Sequence, residues 1–165
     1  LKIVILGAGV QGTVFAVRLA TAGHQVTLIS RPERAIELRQ RGATIQDLKT
    51  MRTCTKVLPV LERLPPDYAA DICLVTVRRE QIETVLPDLA AATSIPRVVF
   101  LMNHANGSDN LLTFAGPSRT VLAFPGIAGD HEFPSSDISI FLSNTPSWRS
   151  EHRTLFGFSE MLASP

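Results

Sequence analysis

Leu1-Lys2-Ile3-Val4-Ile5-Leu6-Gly7-Ala8-Gly9-Val10-Gln11-Gly12 decides the reading of this chain: an apolar run of strand length, a glycine turn of the form GxGxxG, and a stretch of helical character after it. Each glycine has its own physical task. Gly7 allows the sharp exit from the strand, Gly9 lets a pyrophosphate approach the backbone with no side chain in the way, and Gly12 lets the helix pack close against the sheet. A glycine turn alone is weak evidence. Here the preceding strand, and Val14, Phe15, Val17 and Leu19 with Ala16 and Ala20 following, supply the context the motif needs. Amides unpaired at a helix start, where the dipole amounts to about half a positive charge, then face the anion. Gly7, Ala8, Gly9, Val10, Gln11 and Gly12 are accordingly read as dinucleotide-binding residues.

Working outward, the chain alternates strands and helices. Residues 2–6 are read as the first strand, about 10–22 as the first helix, and Gln25-Val26-Thr27-Leu28-Ile29 as the second strand. Pro32 stands where a first helical turn begins, and Glu33 to Arg41 reads as a helix stopped by Gly42. Thr44-Ile45-Gln46 and Cys54 to Val60 read as short strands, with Pro59, Pro65 and Pro66 breaking what lies between. Ile72 to Val77 and Val98 to Met102 are nearly continuous apolar runs, the signature of parallel strands covered on both faces. Between them Arg79 to Ala92 reads as a helix interrupted near Pro87. Val121 to Phe124 and Ile138 to Leu142 are read as two more strands, and Trp148 to Leu162 as a closing helix. The pattern predicts an α/β fold with a doubly wound, mostly parallel Rossmann-type sheet, its last strands open to an antiparallel arrangement.

Composition narrows the function classes. A chain of 165 residues is one domain and buries roughly 70% of its unfolded surface, enough for a core without disulfides or metals. The net charge of +1 comes from scattered groups, with no basic stripe for nucleic acid and no polybasic membrane patch. No apolar run approaches the 18 residues of a membrane span, and no secretory signal pattern precedes the first strand. Cys54 and Cys73 stand apart, without metal-ligand spacing, and are read as idle thiols that fit a reducing cytoplasm.

The end of the second strand bears on the choice of dinucleotide. An NAD enzyme usually carries an acidic residue there, about 20 residues past the glycines, for the ribose 2′-hydroxyl. This chain has Ser30-Arg31 instead, and a guanidinium at that point pairs with a 2′-phosphate, which favours NADP. The alternative is that Arg31 is a solvated loop residue and Glu33 turns back to the ribose.

In its order of pieces the chain resembles the N-terminal domain of the ketopantoate reductases (2-dehydropantoate 2-reductases). The resemblance rests on Lys2-Ile3-Val4-Ile5-Leu6-Gly7-Ala8-Gly9, Ala22-Gly23-His24-Gln25-Val26-Thr27-Leu28 with Arg31, Asp71-Ile72-Cys73-Leu74-Val75-Thr76-Val77-Arg78, and Leu101-Met102-Asn103. It spans most of residues 1–125. It implies reduction of a 2-keto acid to a 2-hydroxy acid by hydride from NADPH, in pantothenate biosynthesis in the cytoplasm. It also implies roles for particular residues. Arg31 holds the adenosine 2′-phosphate, and Arg78, standing where the family commonly has Lys, meets a cofactor phosphate. Gln81 lies near the adenine end, and Asn103 contacts cofactor and substrate. The Asn-Gly that the family usually has there is here Asn103-His104-Ala105-Asn106-Gly107, an altered loop. Phe124-Pro125-Gly126-Ile127-Ala128-Gly129 fits the small-residue turn on the nicotinamide side.

An absence accompanies these matches. Hydride transfer to a ketone leaves an alkoxide that an acid must protonate. The family uses a lysine for this, helped by a carboxylate, both from a helical C-terminal domain. This chain has only Lys2, Lys49 and Lys56, none placed by the sequence pattern at the cofactor cleft; His104 is the one local alternative, while His24, His131 and His152 have no partner spacing. No catalytic residue is therefore expected here beyond an orienting role for Asn103. The chain begins with Leu rather than Met and ends after a predicted helix at Ala163-Ser164-Pro165. The expectation is that residues 1–165 form the dinucleotide-binding domain and that the helical domain is absent from this sequence. Open alternatives are a dinucleotide sensor without chemistry and the first domain of another NAD(P)-dependent dehydrogenase. The expected partners are a small 2-keto acid and the chain's own helical domain, with a homodimer left open and neither nucleic acid nor membrane indicated.

Overall fold

Ile3, Val4, Ile5 and Leu6 are consecutive apolar residues, and in the computed structural model all four are buried, because the strand they form has a covered layer on each side. The structure describes residues 1–48, 50–102, 109–124, 128–131 and 138–141. Strand β1 (Lys2–Leu6) leads through helix α1 (Val10–Thr21) to β2 (Gln25–Ile29) and α2 (Pro32–Arg41). A hairpin of β3 (Ala43–Asp47) and β4 (Thr53–Lys56) precedes the short β5 (Val60–Leu61). The second half runs β6 (Ile72–Val75), α3 (Ile82–Ala91), β7 (Val98–Leu101), α4 (Asp109–Ala115) and β8 (Thr120–Ala123), followed by β9 (Ala128–His131) and β10 (Ile138–Phe141).

Six strands form one sheet in the order β5-β2-β1-β6-β7-β8, and every neighbouring pair is parallel. The strand order therefore reverses between β1 and β6, which opens a crevice at their carboxyl ends. The alternation of side chains along each strand divides the core. Ile3, Ile5, Ile72, Leu74, Val99 and Leu101 share one layer with Val14, Ala16, Val17 and Leu19 of α1 and Ala35 and Leu38 of α2. Val4, Leu6, Cys73, Val75, Val98 and Phe100 point the other way, into a layer with Ile82, Leu86 and Leu89 of α3 and Leu111 and Ala115 of α4.

Three sequence expectations are corrected. Ile138–Phe141 does not extend the main sheet: β10 pairs parallel with β3 and antiparallel with β9, giving a second sheet in the order β4-β3-β10-β9. Helix α1 contacts strands of both sheets and lies between them, which accounts for a helix that is apolar around most of its circumference. The run from Cys54 to Val60 is two strands in different sheets, separated at Pro59, which has no N–H for a ladder but offers its carbonyl to Leu28 N at 3.0 Å. Helix α3 continues through Pro87 without interruption. Pro87 and Glu83, whose carbonyl loses its helical partner, are both exposed, while Ile82, Leu86 and Leu89 hold the opposite face in the core. Leu142 and the predicted helix from Trp148 to Leu162 lie outside the described residues.

Arg119 ties the second half together. Its Nη1 donates to the carbonyls of Ala92 (2.7 Å) and Ile95 (3.1 Å), its Nη2 to Leu89 O (2.7 Å) and its Nε to Ala115 O. One planar cation thereby serves carbonyls at the ends of both α3 and α4, where the helix dipoles favour positive charge. Beneath it Cys73 is wholly buried, and burial pushes its thiol from the ordinary 9.0 up to about 12, with the Arg119 charge pulling the other way.

Two outcomes are expected. Arg119→Met lowers the unfolding free energy by about 2–3 kcal/mol, read from urea denaturation, since several charge-assisted bonds vanish and their carbonyls stay buried. In the native chain at pH 8, Cys54 reacts with a thiol reagent while Cys73 reacts only on unfolding. Because the unfolded thiol ionises near 9 and the folded one near 12, stability falls as pH rises through that window; equal stability of the unmutated chain and Cys73→Ala relative to their neutral-pH values would contradict this.

Candidate functional site

The crevice at the carboxyl ends of β1 and β6 is built around Gly7 and Gly12. Gly7 takes φ +104°, a left-handed conformation that turns the chain sharply out of β1, and its N–H donates to Ile29 O at 3.0 Å. A Cβ at residue 12 would stand 1.8 Å from Gly7 O and 2.7 Å from Thr76 Oγ1, so the start of α1 can sit at this depth only without a side chain there. A Cβ on Gly9 would meet nothing within 4 Å, which leaves open space above the turn. Gly9 is the N-cap of α1, with no side-chain cap and no acidic residue in the first turn. The first amides of α1 consequently have no internal neutralising partner, the condition for an anion site.

Thr76 was not singled out by sequence reasoning, yet it fastens the turn. Its backbone N–H donates to Leu6 O at 2.8 Å, and its buried hydroxyl lies 3.0 Å from Leu6 O and 2.8 Å from Gly7 O, sharing one proton between two carbonyls. The signal was present as a hydroxyl ending the apolar run Ile72-Cys73-Leu74-Val75. Thr13 completes the turn, with its N–H on Gly9 O at 2.9 Å and its hydroxyl on Ala8 O at 3.3 Å.

Two adjoining cavities flank this turn and share Gly9, Thr76, Val77 and Arg78. The first, of about 790 Å³, runs along the ends of β1 and β2 past Ser30, Arg31 and Gln81. The second, of about 550 Å³, runs over Val10 and Gln11 toward Leu101, Met102 and Phe124. Together they form an elongated groove with uncapped amides at its waist.

The charges of the first cavity divide by whether they already have partners. Arg34 pairs with Glu37 at 2.5 Å, Arg39 at the rim with Glu62 at 3.1 Å, and Arg63 with Asp88 at 2.6 Å. The Arg31 guanidinium, exposed at the N-cap of α2, makes no hydrogen bond or ion pair among the described residues. Arg78 is mostly exposed and stands 3.9 Å from Glu80. Gln81 uses its amide oxygen on Arg78 N at 3.4 Å, capping the short turn Arg79–Gln81, so its part in the crevice is first a structural one. Glu33, the alternative ribose partner, does not line either cavity.

On the nicotinamide side expected from sequence, Met102 is buried and bonds Ala123 O through its N–H at 3.3 Å. Asn103 and His104 follow it but lie outside the described residues, as do Pro125, Gly126 and Ile127. Among the lysines, Lys2 begins β1 at the edge opposite the crevice, its Nζ 4.7 Å from the Tyr68 ring centre, and Lys56 belongs to β4; Lys49 lies outside the described residues. His24 belongs to the α1–β2 turn at the edge away from the crevice.

Comparison with known proteins agrees with this geometry. Residues 3–127 match the family described as "Ketopantoate reductase PanE/ApbA". A 2-dehydropantoate 2-reductase of Listeria monocytogenes is 29% identical over 161 residues, covering 94% of this chain and 50% of that protein. One from Pyrococcus horikoshii is 29% identical over 110 residues, 67% of this chain and 34% of its own length. The chain thus spans about half the length of the first of these relatives or less. Among solved structures, a D-mandelate dehydrogenase with NADH and anilino(oxo)acetate superposes with a TM-score of 0.75 at 20% identity, over 86% of this chain and 46% of that one. The 2-dehydropantoate 2-reductase from Methylococcus capsulatus gives 0.68 at 21%, over 86% and 46%.

The two glycines should respond differently to a methyl group. Gly12→Ala is expected to destabilise the chain by about 1–3 kcal/mol in urea denaturation, since Gly7 O must move. Gly9→Ala should leave stability within about 0.5 kcal/mol and yet weaken dinucleotide binding at least tenfold by fluorescence titration. Equal loss of stability in both would contradict the division of tasks.

Proposed function

The chain belongs to the ketopantoate reductase PanE/ApbA family, and on that premise we propose that it is the coenzyme-binding half of an NADPH-dependent reductase that converts a 2-keto acid to the 2-hydroxy acid. The observation that carries the reading is the elongated groove with uncapped helix amides at its waist and, along one arm, the guanidinium of Arg31, which has no partner among the described residues. The open space over Gly9 fits a diphosphate lying against the amides of Val10 and Gln11. The cavity beside Ser30 and Arg31 then takes the adenosine half, and the cavity beside Leu101, Met102 and Phe124 takes the nicotinamide half.

A bound nicotinamide would supply the hydride. The residues of this chain bind and orient: amides of α1 hold the diphosphate, Arg31 grips a 2′-phosphate, and the apolar side chains of Leu101 and Met102 limit water on the reacting side. Asn103, which follows Met102, is assigned a contact with cofactor and substrate. Proton delivery to the developing alkoxide needs a further group. Of the described residues lining the second cavity, the Thr76 hydroxyl is committed to backbone carbonyls, and arginine side chains do not release a proton near neutral pH. As membership of the family implies, the acid is assigned to a lysine of a helical C-terminal segment, which also supplies the contacts that select the substrate. No helix among the described residues is long and apolar enough to cross a membrane.

A charge-assisted hydrogen bond from Arg31 to the 2′-phosphate is worth about 1.5–3 kcal/mol, or roughly ten- to a hundredfold in affinity. The purified chain should accordingly bind NADPH that much more tightly than NADH in a nicotinamide-fluorescence titration, and Arg31→Ala should bring NADPH down to the affinity of NADH. Equal affinity for the two in the unmutated chain would overturn the NADP assignment; binding of neither would overturn the reading as a whole.

A further inference from the structure

Two arginines line the nicotinamide-side cavity: Arg78, to which the family resemblance gives a cofactor phosphate, and Arg79, which has no assigned task. Arg34, Arg39 and Arg63 each face a carboxylate, Arg119 faces backbone carbonyls, and Arg78 stands near Glu80. Arg79 has no ion pair among the described residues, and its Nη1 is buried with no hydrogen-bond partner. A buried donor on a charged group is costly to leave unpaired, and the residue that carries it also lines a cavity wall, where an anion would neutralise the guanidinium. The side chain opens the turn Arg79–Gln81, just beyond the carboxyl end of β6. It lines the cavity that holds Val10, Gln11 and Met102, and not the cavity beside Arg31.

We propose that Arg79 binds an oxyanion on the nicotinamide side of the crevice. The inference rests on the coenzyme reading above. Two sources carry that chemistry there: the diphosphate at the start of α1, and the carboxylate of a 2-keto acid beside the nicotinamide. A planar guanidinium suits either, offering parallel donors to two oxygens.

The test uses the whole chain with Arg79→Met and Arg79→Lys. Thermal unfolding without ligand is measured first, then affinity for NADPH and for adenosine 2′,5′-bisphosphate, the coenzyme's adenosine half. Affinity of the NADPH-saturated chain for pyruvate and for its uncharged amide follows. Arg79→Met is expected to keep or raise the unfolding temperature of the free chain, since it removes an unsatisfied buried donor. It is also expected to lose at least tenfold in one anion, with Arg79→Lys recovering part of that loss. A loss for NADPH with adenosine bisphosphate unchanged assigns the diphosphate. A loss for pyruvate with its amide and NADPH unchanged assigns the carboxylate. Affinities within twofold of the unmutated chain for every probe overturn the proposal, as does a fall in free-chain stability with all ligands weakened alike, which marks a structural arginine. Failure of pyruvate to bind the unmutated chain removes the carboxylate source and leaves the NADPH comparison to decide. Failure of the unmutated chain to bind NADPH at all brings down the coenzyme reading itself.

Discussion

One interatomic approach governs this molecule: the carbonyl oxygen of Gly7 occupies the space where residue 12 would carry a side chain. Because that distance is so short, α1 begins directly above the end of β1, and its first amides open toward the crevice instead of being buried or capped. Thr76 holds the same carbonyl, and Leu6 O beside it, from the β6 side. The two strands that meet where the strand order reverses are thus pinned together at the mouth of the crevice.

The rest of the fold keeps that point in register. Alternating apolar residues in β1, β6 and β7 fill two separate layers, so a one-residue slip in any of them would exchange the layers and displace the glycine turn relative to Thr76. Helix α1 is clamped between the main sheet and the smaller one, which restrains the element whose N-terminus opens on the crevice. On the far layer, Arg119 binds carbonyls of two helices at once and so fixes the helices beside β7, whose end forms the wall of the second cavity.

Charge in the crevice falls into two groups with different physical roles. Arg34, Arg39 and Arg63 each have a carboxylate close by, so a further anion gains less from them. Arg31 and Arg79 have no ion-pair partner among the described residues, and one lies along each arm of the groove. A ligand bearing anionic groups at separated positions is complementary to that distribution, whereas a neutral ligand of equal size would leave both cations unpaired.

Much of the architecture was legible in the residues alone. The strand, glycine turn and helix at the start, the continuous apolar runs at Ile72–Val75 and Val98–Leu101, and the stop at Gly42 act through local periodicity, backbone freedom and burial on both faces, and these properties are written in neighbouring residues. The α/β fold with a mostly parallel sheet, and the glycine turn between its first strand and first helix, followed from them. What local pattern could not reveal was set by partners far apart in the chain. β10 joins β3 some ninety residues earlier, Cys54 and Val60 enter different sheets, and α3 runs through Pro87 because its buried face outweighs one missing bond. Thr76 as the fastening of the turn, Arg119 as a shared helix cap, and the difference between a paired and an unpaired arginine depend on which groups lie within about 3 Å of one another once the sheet closes. Sequence determined which elements form and where the glycine turn stands, since those are local properties; only the tertiary structure decided which charges have partners among the described residues, since neutralisation is a matter of distance between residues remote in the chain.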